Sequence, residues 1–217
     1  MAVAGYKAVI QVGNATTVSV TNEACTSLSA SVYRVTSSSR RVLDPGQSVV
    51  VKDATVTVSS SLYSVEYLTG KITFSGYSPG GAITVDAYYV PMVTVAECQS
   101  YEVSVESGLA EKTPYNTDGV KTYMATLMSA SVAMSGTLSP WTDYTGEGVA
   151  GITAYMTSST PRVWRLQFYD GVNYLVANIW GFHEGYKQSA PVDGITKFDT
   201  TIQATSRSGK SFGLDTW

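Results

Sequence analysis

Val65-Glu66-Tyr67-Leu68-Thr69-Gly70-Lys71-Ile72-Thr73-Phe74 holds the fold in miniature. Tyr63, Val65 and Tyr67 share one face, and Ile72 and Phe74 resume the same alternation after Leu68-Thr69-Gly70. A period of two belongs to a strand half buried on one side, and glycine supplies the backbone of a reversal. The stretch therefore reads as strand, reversal, strand. Upstream, Val18 and Val20 alternate with Ser19 and Thr21, and Val49, Val51, Val56 and Val58 flank the polar corner Lys52-Asp53-Ala54. Downstream, residues 76–81 with Pro79 inside form a second reversal, and Ile83, Val85, Ala87 and Tyr89 follow. This is a β-meander, and Pro91 ends it. The expected division is a meander subdomain over residues 1–93 and a second β unit over 94–217.

The second half uses longer strands. Val103 and Val105 face one way, while Glu102, Ser104 and Glu106 face the other. Residues 108–119 read as a long loop, and 123–134 as a strand with Met124, Met128, Val132 and Met134 on one side. Residues 136–148, with Pro140 and Trp141, form another loop. Val149, Ile152, Tyr155 and Met156 have helical spacing, which Thr160-Pro161 stops; this predicts one short helix. Trp164, Leu166 and Phe168 alternate with Arg165 and Gln167, Asp170-Gly171 is a hairpin turn, and Tyr174, Val176, Asn178 and Trp180 return. Phe198, Thr200, Ile202 and Ala204 make a last strand before the tail at 206–213. Many short strands and one helix predict an all-β sandwich or barrel.

Composition narrows the function. The 217 residues carry 14 Lys+Arg and 17 Asp+Glu, a net charge of -3. Charged residues are 14% of the chain, against about 25% in an ordinary soluble domain. An acidic chain with so few cations lacks the basic surface a free nucleic-acid binder needs. No apolar run is long enough to span a bilayer, and the start shows no basic and apolar leader, so synthesis and retention in the cytoplasm are expected. Cys25 and Cys98 are expected to be free buried thiols. One histidine and two cysteines do not make an ordinary zinc site, and neither a metal nor a cofactor is expected. The deficit of charge, with 15 Tyr and 4 Trp, has two readings. Exposed strand faces are polar but uncharged, or the surface is largely covered by copies of the same chain, since interface cores are poor in charge and rich in aromatics.

Catalytic patterns fail one by one. Gly76-Tyr77-Ser78-Pro79-Gly80 has the spacing of a nucleophile elbow, but Pro79 lacks the N–H that would serve the oxyanion, and a strand follows instead of a helix. Gly209-Lys210-Ser211 has no glycine at the head of a phosphate loop, where Ala204 stands, and no helix after it. His183 and Glu184 are adjacent, so on a strand they point to opposite faces. No enzyme is expected. Glu102, Glu106, Asp143, Glu147 and Asp170 are either ordinary solvated charges or a negative lining, which would let DNA slide past without holding it.

Several stretches together resemble the tail tube (major tail) proteins of long-tailed bacteriophages. They are Met1-Ala2-Val3-Ala4-Gly5 with Arg41-Val42-Leu43-Asp44-Pro45, then Val65 through Phe74 with Val85-Asp86-Ala87-Tyr88-Tyr89. Asp118-Gly119-Val120-Lys121-Thr122-Tyr123 leading to Ser129 through Gly136, and Phe198 through Thr205, complete the set. The size of the first half departs from a minimal tube subunit.

The resemblance implies that 94–217 is a tube-forming β-sandwich whose strands join those of adjacent subunits around a lumen. It implies hexameric rings stacked around a tape measure protein, with tail terminator and baseplate proteins as further partners, in a virion tail assembled in the host cytoplasm. DNA would pass through the lumen without specific binding, and no membrane is involved. Glu111, Lys112, Tyr115, Asn116, Asp118, Trp141, Asp143 and Tyr144 would make the contacts between rings. Glu102, Glu106, Glu147 and Asp170 would face the lumen. Two alternatives stand beside this. One is another virion β protein of the baseplate or head decoration; the other is a carbohydrate-binding β-sandwich using Trp141, Trp164 or Trp180 as a stacking platform.

Overall fold

A computed structural model describes residues 7–111, 123–137, 160–169, 172–189, 197–205 and 212–216. The predicted helix at 149–156 and the Asp170-Gly171 turn lie outside these residues. The described chain is all β, apart from two short 3-10 turns. Its first strands are β1 (Lys7–Gly13), β2 (Val18–Ser29), β3 (Val32–Val35), β4 (Val50–Asp53), β5 (Val56–Thr57), β6 (Tyr63–Glu66), β7 (Lys71–Phe74) and β8 (Ile83–Tyr89). The second half supplies β9 (Met92–Glu111), β10 (Tyr123–Thr137), β11 (Arg162–Tyr169), β12 (Tyr174–Ser189), β13 (Lys197–Ala204) and β14 (Phe212–Thr216).

Two antiparallel sheets result. In the first, β11, β1, β9, β10, β13 and β12 pair in that order, and β12 pairs back with β11, so the sheet closes into a six-stranded barrel. β14 adds to β12 opposite Leu175–Ile179. Alternation fills the barrel from every wall: Ile10, Val12, Val132, Met134, Trp164, Leu166, Ala177, Ile179, Phe198 and Ile202 are all buried together. The second sheet runs β5-β4-β8-β2-β3-β7-β6 around Val35, Leu43, Val51, Ile72, Phe74, Ile83 and Val85. Its alternating strands are those read from sequence; Ile72 and Phe74 are buried in β7, as are Ile83, Val85 and Ala87 in β8.

The second sheet is an insertion in the first. β1, which the sequence reading placed with residues 1–93, pairs instead with β9 and β11 of the barrel. The chain leaves the barrel at Gly13 and returns at Met92, its direct partner, and the Asn14 N–H donates to the Pro91 carbonyl at 2.8 Å. Residues 18–89 thus occupy the place of a hairpin loop between two neighbouring barrel strands.

The inserted sheet docks on the outside of the barrel. Val42, Leu68 and Val90 pack against Val163 and Trp180. Asn178, fully buried, donates from Nδ2 to the Leu68 carbonyl at 2.7 Å and accepts from Arg165 Nε at 2.9 Å. The reversal that carries Leu68 depends on Gly70. Its φ is +65°, and a Cβ there would stand 2.7 Å from the Arg41 carbonyl oxygen. Only glycine meets both conditions without strain.

Strand limits differ from the sequence reading in places. Gly108–Glu111 continue β9 instead of opening a loop, because Leu109, Ala110 and Glu111 pair with Ala125, Met124 and Tyr123. Gly136 and Thr137 likewise remain in β10, opposite Phe198 and Lys197. β14 arises where a tail was expected, since the Leu175–Ile179 edge of β12 offers it a ladder. β3 was hidden by its Ser- and Thr-rich surroundings; Tyr33 and Val35 gain their place by pairing with Ile72 of β7 and Cys25 of β2.

Candidate functional site

The barrel wall has two very different outer halves. One is the half under the inserted sheet. The other is formed by β9, β10, β13 and the end of β12, and its side chains follow from register. Where Val103 opposes Val132 and Tyr101 opposes Met134 on the core side, the intervening residues point outward. They form rows across the sheet: Ser100, Ser135, Asp199 and Lys187; then Glu102, Ala133, Thr201 and Gly185; then Ser104, Ser131, Gln203 and Phe182; then Glu106 and Ser129.

This outer half is a shallow depression floored by small residues. Ser100, Glu102, Ala133, Ser135, Gly185, Lys187, Asp199 and Thr201 line it. Ser100 and Ser135 share a hydrogen bond of 2.6 Å, and Gln203 Nε2 donates to the Ala130 carbonyl at 3.3 Å, so the polar groups partly satisfy one another. Glu102 and Glu106 are exposed on this face. Among the described residues no apolar side chain larger than alanine projects from the β9, β10 and β13 rows, but Phe182 of β12, opposite Gln203, does and is 38% exposed. By the same alternation Lys197 joins Lys187 on this face, against Glu102, Glu106 and Asp199, so carboxylates outnumber cations and a polyanion meets little net attraction.

β9 and β10 also outrun the barrel. β13 accompanies β10 only from Ser131 onward, and β1 accompanies β9 only as far as Glu97. Among the described residues, Tyr123–Ala130 of β10 has β9 alone beside it. These eight residues make a two-stranded arm about 27 Å long at the usual rise of a strand. Val105, on its core side, is 51% exposed. A two-stranded ribbon with free edges is marginal by itself in water and invites another strand.

Of the residues predicted to line a bore, Glu102 and Glu106 therefore share the small-residue face, while Glu147 and Asp170 lie outside the described residues. Of those predicted for contacts between rings, Glu111 ends β9 at the far end of the arm. Lys112, Tyr115, Asn116, Asp118, Trp141, Asp143 and Tyr144 lie outside the described residues. Ser104 was placed on this face from sequence; Ser100, Ser129, Ser131 and Ser135 were not, although their alternation with Val103, Val132 and Met134 carried the signal.

Two of the patterns weighed for catalysis have structural roles; Gly209-Lys210-Ser211 lies outside the described residues. Residues 76–81 are a loop pinned to Asp53, which accepts from the Tyr77 hydroxyl and the Gly80 N–H at 2.8 Å and from the Gly81 N–H at 2.7 Å. The Gly80 N–H and then the Tyr77 hydroxyl are the main reasons the Asp53 carboxyl is held below its ordinary pKa. His183 shares the core side with Ile202, hydrogen-bonds through Nε2 to the Thr200 hydroxyl, and lies 6.2 Å from the Trp164 ring. Thr200 in turn donates to the Gly185 carbonyl at 2.9 Å, across the bulge that leaves Glu184 exposed. Cys25 is a free thiol, pushed up to about 12 by burial and then by the Glu23 charge. The Cys98 side chain lies outside those described. Among the described residues no group of three His, Cys, Asp or Glu could hold a metal.

No protein-family model matches the chain, and no curated protein matches it either. Solved structures are similar to it, two of which come from gene transfer agent particles. One is the tail of an empty gene transfer agent particle, refined helically with C6 symmetry, at 9% identity and a TM-score of 0.42, covering 58% of this chain and 85% of that chain. The other is the virion of a native gene transfer agent particle, at 9% identity and a TM-score of 0.40, covering 57% of this chain and 88% of that one. Likeness at that level leaves the function to be argued from the chain's own surfaces.

Proposed function

We propose that this chain is a structural subunit of a phage-type tail tube, not an enzyme. It assembles into stacked hexameric rings whose bore conducts DNA during ejection. The observation that carries this reading is the pairing of an outer face of mostly small and polar side chains, acidic on balance, with an arm whose outer strand edges have no partner strand among the described residues. A rotation about an axis running along the strands sets β10 of one copy beside β9 of the next. Because β9 and β10 are antiparallel, that placement keeps every pairing antiparallel around the ring. The hydroxyl-lined rows then form the bore, with Glu102 and Glu106 repelling phosphate so that DNA is passed and not trapped. A tape measure protein in the lumen, with terminator and baseplate proteins at the ends, would set length and closure, and the assembled subunit would reside in the virion tail.

The carbohydrate-binding alternative draws no support from two of its three tryptophans, because Trp164 and Trp180 are buried. Sedimentation velocity over a concentration series tests the proposal. Growth from subunits to large discrete particles as concentration rises is expected. A single small species at every concentration and salt level would count against it.

A further inference from the structure

We infer that the inserted sheet, residues 18–89, is an exterior module: it stands outside the tube wall and stays accessible after assembly. The inference rests on the tail-tube reading and adds a polarity to it. Three observations carry it. First, the sheet replaces a hairpin loop between β1 and β9, so the barrel circuit is complete without any strand from it. Second, it covers one outer half of the barrel, where Val163, Asn178 and Trp180 are buried against Val42, Leu68 and Val90 or bonded to the Leu68 carbonyl. That half is closed to a bore and to passing DNA. Third, the half left bare is the one with the hydroxyl rows, where Glu102, Glu106 and Asp199 outnumber Lys187 and Lys197 and Phe182 is the one large apolar side chain among the described residues. A subunit whose bare half faces the lumen must carry the module on the side away from it.

The module's own charges are largely turned on each other. Arg40 pairs with Glu23, and Lys52 pairs with Asp86 at 2.6 Å while donating to Asn22 Oδ1 at 2.9 Å. What β2 presents outward is rich in hydroxyls, with Val18 and Leu28 exposed among them, its one carboxylate being the Glu23 that Arg40 pairs; Val56 is exposed at the sheet's edge. A surface of that kind suits neutral, hydrogen-bonding surroundings better than a polyanion.

Cysteine accessibility tests the placement. Val56→Cys on the module and Ser131→Cys on the bare face are each treated with a polymer-linked maleimide, in free subunits and in assemblies first seen by electron microscopy. The unaltered chain serves as the blank. Val56→Cys should label equally in both states, and Ser131→Cys should label in subunits and lose labelling in assemblies. Protection of Val56→Cys in assemblies, or continued labelling of Ser131→Cys, would overturn the inference while leaving the tube itself standing. If micrographs show no assemblies from the unaltered chain, the tail-tube reading falls and the polarity falls with it.

Discussion

Asn178 joins two sheets through one side chain. It is fully buried, its amide donates to Leu68 in the inserted sheet, and its carbonyl accepts from Arg165 in the barrel. Asn178→Ala leaves a buried carbonyl and a buried guanidinium N–H with one partner fewer. A loss of about 2–4 kcal/mol is expected, as for a removed buried hydrogen-bond partner of a charged group. Urea unfolding checks it, and a change indistinguishable from zero would show that the docking does not depend on this residue. Cys25 carries a different expectation. With its thiol pushed up to about 12, alkylation at pH 8 should be far slower than for a free cysteine, as mass spectrometry of the folded protein would show. The sign for stability follows. The folded state holds the proton more tightly than the unfolded chain, so the contribution is complete below about pH 8.5 and is lost as pH rises toward 12.

At the scale of elements, the sequence showed most where burial is one-sided. β7, β8 and β13 alternate cleanly because one face meets a core, and the period of two is the physical trace of that; in β11 Val163 through Leu166 are all buried, because the inserted sheet covers the outer face as well. It showed least where pairing, and not burial, holds a strand. Gly108–Glu111 of β9 owe their extended form to β10, and β14 owes its to a vacant stretch of β12; neither cause lies in the local residues. β2 was legible only at Val18 and Val20, because most of its side chains are exposed. Turns were legible where they demand special backbone. Gly70→Ala forces a side chain into a positive φ and against the Arg41 carbonyl at once. A loss of at least about 1–3 kcal/mol is expected, read as a fall in thermal midpoint. No fall would mean that the reversal can re-form around a side chain.

At the scale of the molecule, the deficit of charge is not confined to one face. The serine, threonine and alanine rows outside β9, β10 and β13 still carry Glu102, Glu106 and Asp199, with Lys187 of β12 beside them, a placement that composition alone could not give. Composition predicted a surface that is either merely polar or made to be covered. Register shows a polar outer half, and the arm beyond the barrel supplies edges that can be covered. The division of the chain was less legible, because nothing in residues 7–13 marks them as belonging with strands eighty residues away. Long-range pairing of that kind is written in the partner's edge and not in the strand itself.

The central claim is that this chain completes itself only among copies. Electron microscopy of the purified full-length chain, alone and with its tape measure protein, tests it most directly. Rings or tubes with a central bore, six-fold in end view, are the expected result. Dispersed single particles of subunit size under every condition would contradict it.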